Sequence, residues 1–231
     1  MKGLADISYQ ELEIIVTKLS ELGVTSEHFQ RLRLNGKYAQ VVAGAFLGND
    51  YTEANYDSVR DILGENFVSP GEVAEARKCT YSDELRQQFA KTLPSEEFLL
   101  WLRDHCCVLM PGPPVPMSLL EIRDLDSSLF YSGPNSWYAH SNQKFSCDER
   151  VSVQWLVLGR DISQNEQEKF PPGTKFAHTT ADICWGITSY KKVCNTWLFS
   201  HIHLKTSSRD AAGHCVSIGL LKTGGISVMN Y

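Results

Sequence analysis

Half of the chain's imidazoles and thiols stand close together near one end. His178, Cys184, Cys194, His201, His203, His214 and Cys215 are seven of its fourteen Cys and His residues, and they fall within 38 positions. In "CNTWLFSHIHLKTS", residues 194–207, His201 and His203 are two apart in an apolar, aromatic run. On a strand that spacing puts both rings on one face. Such a pair can chelate zinc, with Cys215 or His214 on the next strand completing a tetrahedral set. It can also lower the pKa of a nucleophilic thiol, with Cys215 attacking, His201 or His203 as base, and Asp210 or Asn195 orienting the ring.

Neither pattern is complete. There is no Cys-x-x-Cys, and adjacent His214 and Cys215 face opposite ways if both lie on a strand. The expectation is therefore no cofactor and no catalytic residue. A metal site or a Cys/His hydrolase built on His201, His203 and Cys215 is the alternative. Asp124 with Asp126, and Asp148 with Glu149, read as solvated carboxylates at helix ends or in loops. "GLLKTGG" lacks the spaced glycines of a phosphate loop. Phe130, Tyr131, Trp137 and Tyr138, grouped around Gly133-Pro134, are the candidate binding residues of a recognition loop for a partner, with packing of the loop onto the sheet as the commoner fate of such rings.

These residues need a frame. Hydrophobic residues at 42% and charged residues at 21% of 231 positions match a globular chain with a packed core. No apolar run approaches the ~18 residues of a membrane span. The start, "MKGLADISYQELEIIV", is acidic and has no continuous apolar stretch, so no secretory signal is expected. Seven irregularly spaced cysteines argue for free thiols, and the chain reads as cytoplasmic. Its net charge of -5 divides as -6 over residues 1–116 and +1 over 117–231. An acidic first half is a poor match to a phosphate backbone; a solvated acidic face is its commoner meaning, and a basic partner surface the alternative. Lys191, Lys192, Lys205, Arg209 and Lys222 are too few for a basic stripe, so weak nucleic-acid binding is only a further alternative.

The first half reads as helices. Ser8 with Glu11, and Ser69 with Glu72, are capping boxes, and Pro70 suits a first helical turn. Helices are expected over Ser26–Leu34, about Tyr56–Leu63, "SDELRQQFAKTL" and "PSEEFLLWLRDH", and a small apolar one in "KYAQVVAGAFLG". "MPGPPVPM", with four prolines in eight residues, reads as an extended connector between two domains. After it, Ser118 and Glu121 cap a short helix, "VSVQWLVLGR" reads as a strand, and residues 161–178 as a loop. "TTADICWGITSYKKV" reads as a helix, and strands are expected near 196–206, 214–221 and 225–230. The expected fold is α+β: a helical region 1–109, a connector 110–117, and a domain 118–231 with one helix on a small antiparallel sheet.

"SPGEVAEARKCTYSDELRQQFAKTLPSEEFLLWL", "GPPVPMSLLEIRDLDSSLFYS", "WYAHSNQKF" and "VQWLVLGRDIS" resemble a group of bacterial hypothetical proteins. The resemblance implies a cytoplasmic bacterial protein with this order of elements, and no activity comes with it. Since no catalytic set is complete, the expected role is non-catalytic: interaction with another protein, or regulation.

Overall fold

The computed structural model describes residues 8–21, 23–36, 39, 42, 51–131, 136–159, 170–199, 203–221 and 225–230. The chain forms two compact units, Met1–Tyr51 and Thr52–Tyr231. In the first, α1 (Tyr9–Glu21) is capped as expected, with Glu11 N donating to Ser8 Oγ and Ser8 N to Glu11 Oε2. Helix α2 (Ser26–Leu34) starts from Thr25, whose N–H is received by His28 Nδ1 at 3.0 Å. Most of "KYAQVVAGAFLG" lies outside the described residues.

The second unit opens with four helices: α3 (Tyr51–Leu63), α4 (Pro70–Arg77), α5 (Asp83–Lys91) and α6 (Glu96–Asp104). Ser69, Ser82 and Ser95 each accept the backbone N–H three residues ahead, so α4, α5 and α6 begin where local chemistry starts them. Strand β1 (Val108–Pro111), strand β2 (Met117–Ser118), helix α7 (Leu119–Leu125), the single turn α8 (Lys144–Cys147), β3 (Arg150–Val151) and β4 (Trp155–Leu158) follow. Last come β5 (Thr174–Phe176), α9 (Thr180–Cys194), β6 (His203–Arg209), β7 (Cys215–Leu220) and β8 (Ile226–Asn230). The fold is α+β, with a helical N-terminal region.

The boundary expected at 110–117 falls inside the second unit instead. β1 pairs antiparallel with β4, Val108 opposite Leu158 and Pro111 opposite Trp155. Proline is tolerated there because β1 is an edge strand. The carbonyl of Pro111 accepts from Trp185 Nε1 at 2.9 Å, and that of Gly112 from Tyr81 Oη at 2.6 Å. Those two donors come from opposite sides of the expected boundary. A Cβ on Gly112 would stand 2.1 Å from the Ser152 carbonyl oxygen, so only glycine lets the run pass so close. Trp155 gathers Phe89, Phe67 and Tyr56 around it, with ring centroids 5.1, 5.9 and 6.0 Å away. The helices before the prolines and the strands after them thus share one core.

There are three small sheets among the described residues: β1-β4-β5, β2-β3 and β6-β7-β8. The last is the expected antiparallel sheet. Strand β5 was not expected, and it runs parallel to β4, Trp155 opposite Thr174 and Val157 opposite Phe176. A long return connection permits this, since parallel neighbours need a crossover where antiparallel ones need only a turn. Helix α9 packs against α4, α7, β4, β6 and β7, and its Thr179 cap closes a box with Asp182. Gly186 brings it down on β4, where an added Cβ would meet Leu158 Cδ2 at 2.2 Å.

Candidate functional site

Among the described residues, those first singled out do not come together. His201 lies outside the described residues. His203 stands opposite Gly219, whereas Cys215 stands opposite Arg209. Four residues of β7 separate those levels, about 13 Å at roughly 3.3 Å per residue, so His203 cannot serve Cys215. The Cys215 thiol instead accepts from the Arg209 guanidinium. His214 Nδ1 bonds Asp210 Oδ2 at 3.1 Å. Among the described residues no three His, Cys, Asp or Glu side chains converge to hold a metal ion. The recognition loop is also redrawn. Phe130 and Tyr138 are buried in the core, and Trp137 Nε1 donates to Val228 O at 3.0 Å. Of the four, Tyr131 stays open to solvent, at 65% exposed. Large rings beside a sheet lose more contact by facing water than a loop gains by displaying them.

A different site forms where β4 and β5 end side by side. Ligands in sheets with parallel strands gather outside the carboxyl ends of those strands. Here the chain leaves β5 through Ala177 and His178 into α9, and Ser207 N donates to His178 O at 2.8 Å. That bond ties the edge strand β6 to the end of β5. A cavity of about 440 Å³ opens beside it. Its apolar walls come from Leu158, Phe176, Ala177, Ile183, Phe199 and Leu204. Among the described residues its charged and titratable lining is His178, His203, Lys205 and Arg209, with no Asp or Glu. Alternation explains the last three: His203, Lys205, Ser207 and Arg209 share the exposed face of β6, while Thr206 and Ser208 are buried behind it.

His178 has a defined tautomer. Its Nδ1 lies 2.8 Å from Phe176 O, and a carbonyl can only accept. Nδ1 therefore carries hydrogen, and in the neutral ring Nε2 keeps its lone pair. Ser207 Oγ also donates to a carbonyl, that of His178, at 3.3 Å, and not to a base.

Behind β6 a hydroxyl network locks the strand to α9. Thr180 N donates to Ser208 Oγ at 2.9 Å, and the Ser208 hydroxyl donates in turn to Glu149 Oε2. Thr206 Oγ1 donates to Val216 O at 2.9 Å and receives Ser208 N at 3.1 Å. Its remaining acceptor capacity meets the Thr180 hydroxyl at 3.2 Å. Burial pushes the Glu149 carboxyl above its usual range, the Ser208 hydrogen bond opposes this, the Asp182 charge adds to it, and His178 and Lys175 pull back. Asp182, fully buried, is paired with Lys175 Nζ at 2.8 Å. The described carboxylates behind the cleft, Glu149 and Asp182, are thus spent on holding its walls, bonded to Ser208 and Lys175.

Sequence reasoning missed this site for two reasons. Strand β5 lies within the segment 161–178 whose polarity and prolines predict a loop, so nothing in the sequence places His178 at a strand end. Glu149 read as solvated because its partner lies 59 residues away. A usable signal was present in Thr206 and Ser208, short hydroxyls at the buried phase of a strand, facing a Thr-Thr helix start. Asp126 likewise has its partners far away in sequence. It is buried, 2.5 Å from Arg77 Nη2 and 3.3 Å from Lys192 Nζ.

No helix among the described residues is long and apolar enough to cross a membrane. No protein-family model matches the chain, and no curated protein or solved structure matches it.

Proposed function

We propose that this is a non-catalytic, cytoplasmic regulatory protein that works with another protein and whose second unit captures a small anionic ligand in the cleft between β5, α9 and β6. One observation carries the reading: in a chain of net charge -5, the described residues that line the cleft include two histidines, a lysine and an arginine, and no acid. A concave, apolar-walled site focuses such a field and strengthens it, because water is partly displaced. The volume of about 440 Å³ falls in the range of small-molecule sites. The basic lining calls for a carboxylate or phosphate, and the apolar side chains behind it admit a small organic body.

The non-catalytic reading rests on the hydroxyls. Ser207 is spent on a backbone carbonyl, and Ser208 is buried on Glu149. Neither is poised beside the His178 ring as a nucleophile needs to be.

Titration of the full chain with phenyl phosphate, benzoate and neutral benzyl alcohol, followed by thermal shift and calorimetry, tests this. Either anion is expected to stabilise the protein and the alcohol is not. The double variant K205E/R209E weakens anion binding by about tenfold or more, as reversal of rim charges does. Equal binding of the neutral compound, or undiminished anion binding by the variant, overturns the reading.

A further inference from the structure

A second concavity lies on the helical side of the same unit, and its chemistry is the reverse of the cleft's. It holds about 460 Å³ between α3, the end of α5 and the start of α6. Val59, Ile62, Leu93 and Leu99 supply its apolar surface, and Asp61 and Glu96 are the charged residues among its described lining. Val59 and Leu99 are buried, whereas Ile62 and Leu93 keep part of their surface open. The nearest cation on α3, Arg60, is drawn away: it pairs with Glu72 Oε2 at 2.6 Å, reaches Phe67 O, and stacks 5.3 Å over the Phe67 ring. No ion pair to Asp61 or Glu96 occurs among the described residues.

We infer that this groove docks an amphipathic segment of a partner protein, with aliphatic side chains seated on Val59, Ile62, Leu93 and Leu99 and a flanking Lys or Arg facing Asp61 and Glu96. Charge complementarity commits the occupant. Both charges in the groove are negative, and they belong to the part of the chain, residues 1–116, that carries -6. An apolar segment with acidic flanks would set like charges against them, which costs affinity. The size suits roughly two or three aliphatic anchors of a helix laid in a groove, spaced i, i+3, i+4 or i+7. The anchors gain from leaving water, and the basic flanks set partner choice and approach rate.

The probe is a labelled helical peptide with leucines at that spacing and lysine flanks, paired with the same peptide carrying glutamate flanks. Fluorescence anisotropy on the full chain should show binding of the lysine peptide at least about tenfold tighter than of the glutamate peptide, weakening as salt rises. D61K/E96K alters two exposed side chains and should reverse that preference. L93E should remove binding of both, with circular dichroism confirming that the helices persist. K205E/R209E, which touches only the anion cleft, should leave peptide binding unchanged. Equal affinity for the two peptides, an unchanged preference in D61K/E96K, or loss of binding in K205E/R209E overturns the proposal. So does a dimer of the protein alone that L93E dissociates, because the groove would then belong to a second copy of the chain.

Discussion

Replacing Asp126 with alanine leaves Arg77 as a buried cation without its anion. The two side chains are 5% and 4% exposed, so solvent cannot take over either charge. Burial already lowers the Arg77 pKa, and the charge and hydrogen bond of Asp126 oppose that shift. In the variant the guanidinium keeps Thr188 Oγ1 at 3.1 Å and the Trp185 ring at 4.1 Å, both weaker than a carboxylate. Lys192, 39% exposed, returns to water at little cost. The loss expected on breaking such a pair is about 3–5 kcal/mol. For a unit of this size that corresponds to a fall of roughly 6–20 °C in melting temperature. Urea unfolding at pH 7 reads it directly, provided the m-value is unchanged. The double replacement R77M/D126L should recover most of the loss, since it removes the unpaired charge and sets an apolar chain on Trp185. A loss below about 1 kcal/mol at constant m, the value of a solvated pair, refutes the argument. Arg77 joins α4 to α9, so the same variant should loosen the helix that walls the cleft.

Glu149 should impose a pH dependence. Its folded pKa is raised above the ordinary 4.5, so the folded state binds the extra proton, and stability falls as pH rises from 4.5 through the raised value. E149Q, whose amide oxygen can still accept from Ser208, should flatten that step and exceed the wild type at neutral pH. The two should converge near pH 4, and parallel melting curves across that range would exclude the effect. G186A should cost about 1–3 kcal/mol by overpacking despite the better helix propensity of alanine. Its Cβ would drive Leu158 toward the cleft it lines, so ligand affinity should fall with stability, and L158A should restore both. In thiol labelling at neutral pH, exposed Cys106 should react first. Cys184, fully buried with its pKa raised by that burial, should react last, and early Cys184 modification would show that α9 opens.

What the chain's order alone determined is the part built from contacts a few residues long. Ser69, Ser95, Ser118 and Thr179 start helices because a hydroxyl meets a backbone N–H three residues on, a bond that needs no distant partner. Strands β7 and β8 were legible for the same reason, as neighbours in sequence that pair directly. Charge, burial and long-range pairing were decided only by the tertiary structure. Asp126 is neutralised by an arginine 49 residues earlier. Glu149 is held by a serine 59 residues later. The run that read as a break is held in the core instead: Pro111 ends the edge strand β1, and Trp185 and Tyr81 reach the carbonyls of Pro111 and Gly112 from either side. The imidazoles and thiol that looked like one site were dispersed by strand register, since Cys215 and His203 sit at different levels of one ladder. Local spacing fixes which way a side chain points on its own element, but which other elements stand in front of it depends on how the whole core packs.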